Sequence, residues 1–271
     1  GRSLFRKDFA AYGNDVANWQ LGDTGKAPGR DAGPRYISID DVSMNEGAAG
    51  KSNMVFTVSL SQTSGFTITL NWATSNVTAS SPADFAAATG TITLLPDTLS
   101  AKITVQVTGD GTYEPDETFK VTLSSALNGT LDKAVGVGTI LNDDPLPLVS
   151  IADVSVAEGN SGLNYADFAL TMSNTSSLPV TVPYAAIEGT AIANSDYFPA
   201  SGVVTFTPGT VSAKIRIVLA TDTSYEPDEV FTLKLSPPTN ATLARDVATG
   251  TILNDDPAPV LSVADVSVNE T

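Results

Sequence analysis

Apolar and polar residues alternate with a period of two along most of this chain. Met54, Phe56, Val58 and Leu60 are separated by polar or small neighbours. So are Ile68, Leu70 and Trp72, then Ile103, Val105 and Val107, then Phe119, Val121 and Leu123. Period two belongs to an extended strand, whose successive side chains point to opposite faces. The Gly, Pro, Asn and Asp residues that bound each run are turn formers. Ser and Thr occupy many outward positions, which suits a solvated pleated face. The pattern predicts seven strands over 36–45, 54–61, 66–74, 90–95, 100–108, 117–125 and 135–142, with no helical periodicity between them. Short strands at that spacing predict an all-β fold, an immunoglobulin-like antiparallel β-sandwich.

The same pattern then returns without a gap. Tyr113-Glu114-Pro115-Asp116-Glu117 recurs as Tyr225-Glu226-Pro227-Asp228-Glu229, and Ile140-Leu141-Asn142-Asp143-Asp144-Pro145 as Ile252-Leu253-Asn254-Asp255-Asp256-Pro257. Glu46-Gly47 recurs as Glu158-Gly159 and Asp84 as Asp196, always at one offset. Two tandem sandwiches follow, the first over 36–145 and the second over 146–257. Residues 258–271 resemble the opening strand of a third, because Leu261 to Glu270 matches Val149 to Glu158. The chain is therefore expected to be a window on a longer array. Pro145-Leu146-Pro147 and Pro257-Ala258-Pro259 mark short, proline-stiffened joints. Residues 1–35 stand outside the repeat: a linker, or the end of a preceding domain. Gly1-Arg2-Ser3-Leu4-Phe5-Arg6, Asn18-Trp19 and Pro28-Gly29 resemble the closing strands of a lamin-tail-like domain.

Between the two copies apolar positions drift, Trp72 against Tyr184 and Leu94 against Phe206, while the acids hold. Trp72 and Tyr184, on an apolar alternation, are expected in the core. Any residue of suitable size can keep a core, so an acid held in place answers to something else, and a bound cation is the first candidate. The formal charge is −16, from 30 Asp and Glu against 14 Lys and Arg. Such a field repels phosphate backbones and anionic membrane surfaces, so no nucleic-acid partner and no membrane insertion are expected. There is no Cys and no His, which removes disulfides, thiolate metal sites, His-ligated zinc and the Ser-His-Asp arrangement. No apolar run approaches the ~20 residues of a membrane-spanning helix.

The repeated acids fall at strand ends and in loops. Counting strands up and down places these loops at one end of each sandwich. Carboxylates gathered there repel one another unless a cation intervenes. Calcium accepts six to eight oxygens from flexible carboxylates and carbonyls, whereas magnesium demands a stricter octahedron, so calcium (Ca2+) is the expected ion. Asp41 and Asp153, in the first strand, and Asp116 and Asp228, in a turn, are read as solvated surface acids. Tyr113 and Tyr225 are expected to pack over the end of each sandwich.

Glu46-Gly47, Asp84-Phe85, Asp110 followed by Glu114-Pro115-Asp116-Glu117-Thr118-Phe119, and Gly138-Thr139-Ile140-Leu141-Asn142-Asp143-Asp144 together resemble the Calx-β domain. The second copy supplies the same elements, with Asp196-Tyr197 and Glu229-Val230-Phe231. The resemblance covers residues 36–257 and implies a calcium-binding immunoglobulin-like sandwich of the kind found in sodium–calcium exchangers, integrin β4 and large bacterial extracellular proteins. It implies ligands at Glu46, Asp84, Asp110, Glu114, Glu117, Asp143 and Asp144. Their counterparts are Glu158, Asp196, Asp222, Glu226, Glu229, Asp255 and Asp256. Two departures stand out. The acidic run before the sixth strand is interrupted, as Gly109-Asp110-Gly111 and Thr221-Asp222-Thr223, and the terminal run opens with Asn142 and Asn254 in place of Asp. Fewer acids imply weaker binding.

Other chemistry is set aside. The stretch from Asp110 to Glu117 lacks the Gly and the terminal acid of an EF-hand loop. Gly25-Lys26 lacks the spacing of a phosphate loop. Paired carboxylates suit glycoside hydrolysis, but a tandem duplicate with no substrate-shaping insertion argues against an enzyme. Asn-x-Ser/Thr occurs at Asn76, Asn128, Asn174, Asn240 and Asn269. The expected role is structural: a stiff, calcium-locked stalk or fibre segment of a secreted or cell-surface protein. Its expected partners are neighbouring repeats and other copies of itself. The alternative is an adhesin or matrix-binding module in which calcium is incidental. A sensor of the exchanger type, and strand exchange through residues 260–270, are further readings.

Overall fold

The computed structural model describes residues 4–6, 19–21 and 33–268 and divides into two compact units, Gly1–Gly109 with Asp116–Leu141, and Asp110–Pro115 with Asn142–Thr271. Two short strands, β1 (Leu4–Arg6) and β2 (Trp19–Leu21), pair antiparallel. Residues 1–3, 7–18 and 22–32 of the segment read as linker or lamin-tail-like lie outside the described residues.

The first sandwich comprises β3 (Tyr36–Ile39), β4 (Val42–Asn45), β5 (Gly50–Leu60), β6 (Ile68–Asn76), β7 (Thr89–Leu94), β8 (Ser100–Gly109), β9 (Glu117–Leu127), β10 (Thr130–Lys133) and β11 (Val135–Leu141). One sheet has the order β10-β3-β5-β8 and the other β4-β11-β9-β6-β7. The second sandwich repeats this plan with β12 (Leu148–Ile151), β13 (Val154–Ala157), β14 (Asn164–Met172), β15 (Val180–Ile187), β16 (Ser201–Phe206), β17 (Ser212–Leu219), β18 (Glu229–Leu235), β19 (Thr242–Arg245) and β20 (Val247–Leu253). Its sheets run β17-β14-β12-β19 and β13-β20-β18-β15-β16. The immunoglobulin-like sandwich read from the alternation is therefore present twice.

The seven expected strands become nine because the first strand breaks in two and a short strand precedes the last. β3 lies in one sheet, parallel to β10 and antiparallel to β5, and β4 crosses to the other, parallel to β11. Asp41 and Asp153 sit at these breaks and are not simply solvated. The Asp41 carboxylate accepts the N–H of Val137 at 2.8 Å and pairs with Lys133 at 2.7 Å. Asp153 accepts the N–H of Thr249 at 2.8 Å and pairs with Arg245. Each thus satisfies a strand N–H where the chain changes sheets, a place where the ladder itself is interrupted.

Each core contains a packed trio of aromatic rings. Phe231 meets Phe168 edge-on at 5.7 Å and stacks on Tyr197 at 4.5 Å. In the first sandwich Phe119 meets Phe56 at 5.9 Å and stacks on Phe85 at 4.4 Å. All six are essentially buried, each contributing roughly 1.5–3 kcal/mol of apolar burial. Gly250 makes room for them, since a Cβ there would lie 2.6 Å from the Phe231 ring. Trp72 and Tyr184, expected in the core, are half-buried at its margin.

Residues 258–268 form no strand. Leu261 is 95% exposed, whereas its counterpart Val149, paired within a sheet, is fully buried. An apolar alternation alone does not make a strand without a sheet to join. The remainder of the third-copy motif, including Asn269 and Glu270, lies outside the described residues.

Candidate metal centre

The second sandwich shows how the fold gathers its acids. β13 ends at Ala157, and Glu158 then donates its N–H to the carbonyl of Leu253 at 2.9 Å. Gly159 follows with φ +85, a backbone conformation that favours glycine. Its N–H reaches Asp255 Oδ1 at 3.1 Å. This turn buries Glu158, only 5% exposed, beside the terminal acidic run.

Asp196 is held differently. Its Oδ2 accepts the N–H of Ile192 at 2.6 Å, closing a tight loop, and the next residue, Tyr197, is driven into the core against Phe231. The aromatic ring anchors the loop, so the neighbouring carboxylate remains at the rim. The Asp-aromatic pair is thus a positioning device. Asp84-Phe85 repeats it in the first unit, where Asp84 Oδ2 accepts the Ser80 N–H at 2.6 Å.

Asp222 accepts the N–H of Ser224 at 2.6 Å and shapes the acidic loop before β18. Glu226 donates its N–H to Asn254 Oδ1 at 3.1 Å, and Asn254 Nδ2 donates to the Asp256 carbonyl at 2.9 Å. Asp228 Oδ1 accepts the Asn254 N–H at 3.0 Å, so this exposed acid braces the site instead of merely facing water. Asn254 and Asp228 were not among the expected ligands. Their spacing in the repeated motif was the available signal, but only the fold shows them bracing the acidic segments.

The result is two groups of three carboxylates. Glu158, Asp255 and Asp256 can present oxygens within 4.8 Å of one another, as can Asp196, Glu226 and Glu229. Asp222 belongs to neither group, but its charge acts on Glu158, Glu226 and Asp256. Burial, followed by the repulsion of Asp222, Glu226, Asp256 and Asp255, pushes Glu158 up to about 7. Burial and then the hydrogen bond and charge of Asp196 push Glu229 up to about 7. Asp256 is also raised, chiefly by burial and next by Asp255. Asp256 is 6% exposed and its Oδ2 has no hydrogen-bond partner. A buried, unsatisfied carboxylate oxygen is costly, and a hard cation is the group that satisfies several such oxygens together. The donor set, all carboxylate, suits calcium.

The first-copy acids are distributed between the two units. In the first unit Glu46 is 5% exposed, donates its N–H to the Leu141 carbonyl at 3.0 Å, and so repeats the Glu158 turn. Asp84 lies in its closed loop, and Glu117 opens β9 opposite Ile140. In the second unit Asp110 accepts the Thr112 N–H at 2.6 Å, while Glu114 donates to Asn142 Oδ1 at 3.1 Å. Burial, then the charges of Asp143 and Asp110, raises Asp144, whose Oδ2 is likewise unpartnered.

Comparison with known proteins agrees with this architecture. The family model described as the Calx-beta domain matches residues 36–144 and 149–256. The chain belongs to the Calx-beta domain family. Calx-beta domains are non-enzymatic modules, and these two repeats are read in that light. The chain is 29% identical over 185 residues to the zebrafish (Danio rerio) Adhesion G-protein coupled receptor V1. The match covers 65% of this chain and 3% of the receptor. Among solved structures, CBD12 from CALX1.2 is similar with a TM-score of 0.39 and 18% identity, over 81% of this chain and 99% of that one. The calcium binding domain CBD12 of CALX1.1 gives 0.38 and 19%, over 74% and 79%.

Proposed function

We propose that this tandem Calx-beta segment is a calcium-binding extracellular array serving as a stiff stalk or fibre segment of a secreted or cell-surface protein. The observation that carries the reading is the unsatisfied, buried Asp256 Oδ2 amid two converging carboxylate groups. In the second repeat Glu158, Asp255 and Asp256 would hold one ion and Asp196, Glu226 and Glu229 another, with Asp222 adding charge. In the first, Glu46, Asp84, Asp110, Glu114, Glu117, Asp143 and Asp144 are the corresponding set. The bound ions neutralise carboxylates that otherwise repel, and because they bind only the folded chain they stabilise it by mass action. Asp143-Asp144 and Asp255-Asp256 immediately precede the Pro145 and Pro257 joints, so ions held there restrain the chain where one repeat gives way to the next. That restraint supports a load-resisting role. Adhesion G-protein coupled receptor V1 is a relative in keeping with a surface location.

Thermal unfolding in calcium, in magnesium and in chelator tests the proposal. Calcium should raise the melting temperature well above the chelator value, magnesium should not, and Glu117→Ala with Glu229→Ala should remove most of the rise. An undiminished calcium shift in the double variant rejects these ligands. No calcium shift in the parent chain rejects the function.

A further inference from the structure

Both polar groups of the Glu158 main chain are held, each by a different sheet. Its N–H donates to the Leu253 carbonyl at 2.9 Å, at the end of β20. Its carbonyl accepts Asn164 Nδ2 at 3.0 Å, at the start of β14. β20 and β14 belong to opposite sheets of the sandwich, so the residue is strung between the two layers.

Asn164 does more than hold one carbonyl. Its Nδ2 carries two hydrogens and gives the other to the Ala157 carbonyl at 2.6 Å, while Oδ1 accepts the N–H of Tyr165 at 2.9 Å. Nδ2 also lies against Gly159, where an added Cβ would meet it at 3.4 Å. Gly159 in turn donates its N–H to Asp255 Oδ1 at 3.1 Å. One side chain thus fixes the carbonyls on either side of the Glu158 Cα, and only the Glu158 side-chain torsions are left to set. The other carboxylate group is positioned by different elements: Asp196 by the Ile192 N–H, Glu226 through Asn254, and Glu229 at the head of β18.

The first copy sets its turn by other means. Ser52 stands where Asn164 does, and a hydroxyl has one hydrogen, too few for two carbonyls. Gly109 stands where the second copy has Thr221. A Cβ there would run into the Gly47 carbonyl, so that turn packs directly on the strand backbone.

We propose that Asn164 is a positioning residue for the ion at Glu158, Asp255 and Asp256, acting through the main chain of Glu158, and that it has no part in the ion at Asp196, Glu226 and Glu229. This role rests on the calcium reading above. The buried, unpartnered Asp256 Oδ2 marks the ion's place, and a fixed Glu158 backbone keeps the third carboxylate of the group beside it. Calcium requires such oxygens to converge, and a partner that orients a ligand from behind is felt in affinity.

Amide resonances of the whole chain read the two groups separately during a calcium titration. Gly159 reports on one and Ile192 on the other, since their N–H groups bond Asp255 and Asp196. Asn164→Ser carries the residue present in the first copy, and circular dichroism should show it folded. Its calcium midpoint at Gly159 should rise by about 10–100-fold, with the midpoint at Ile192 unmoved. A role confined to folding would shift both midpoints together or neither, and either result overturns the inference. The parent chain supplies a second reading that needs no variant. In chelator the Asn164 side-chain amide protons should be protected from exchange with water, because the brace forms without the ion; rapid exchange overturns the inference. Should neither resonance of the parent respond to calcium, the calcium reading itself fails, and the positioning role with it.

Discussion

Asn254 donates its amide nitrogen to the Asp256 carbonyl at 2.9 Å while its oxygen accepts the N–H of Glu226 at 3.1 Å. One side chain therefore ties the acidic stretch before β18 to the terminal run. Asn142 makes the same two bonds, to Asp144 at 3.0 Å and from Glu114 at 3.1 Å. An aspartate could accept but not donate, so the Asn that interrupts each terminal acidic run is a brace. Asn254→Asp should lower the melting temperature in chelator by about 4–8 °C, the equivalent of roughly 1 kcal/mol in a domain of this size. An unchanged melting temperature contradicts the brace.

The raised carboxyls make stability depend on pH. Glu158 and Glu229 are both pushed up to about 7, so between about 4.5 and 7 the folded chain binds more protons than the unfolded one. Stability without calcium should fall as pH rises through that window, and the stabilisation from calcium should grow over the same range. Denaturant midpoints at pH 5 and pH 8, in chelator and in calcium, check this. A chelator midpoint that rises with pH refutes it.

Tyr197 tests the link between core and site. Tyr197→Ala should destabilise the chain by about 3–5 kcal/mol and, by unseating Asp196, should also shrink the calcium-induced melting shift. Tyr197→Phe should leave both nearly intact, because Phe85 fills the equivalent position. Full calcium response in a folded Ala variant would separate the ring from the carboxylate.

Gly250 probes the packing beneath the site. A Cβ there would stand 2.6 Å from Phe231 and 2.9 Å from Phe168, so Gly250→Ala should cost roughly 1–3 kcal/mol by overpacking. A neutral result in urea denaturation would show that the rings move aside.

Surface ion pairs should matter less. Asp167 bonds Arg216 at 2.8 Å and Lys214 at 2.9 Å, and these partners hold its carboxyl well below the usual range. All three side chains remain a third or more exposed, so Asp167→Asn should change stability by no more than about 1 kcal/mol. A larger loss would mark this face as more than a solvated strand pair.

The sequence by itself determined the sandwich, its duplication and the acids that converge in the second repeat. Alternation at period two is imposed by the strand backbone, and residues kept at one offset must answer the same local geometry twice. Its silence fell on whatever depends on partners distant in the chain. That Asp41 and Asp153 pin a strand break, that Asn254 is a brace, and that the Tyr197 ring anchors the loop of Asp196 all follow from contacts between segments far apart in the chain. The tertiary structure also decided that Tyr225 stands exposed where Tyr113 is paired, and that residues 258–268, with the same apolar alternation as β12 and β13, make no strand. A side-chain pattern states which face a strand would bury. Only the neighbouring strands determine whether that face has anything to bury against.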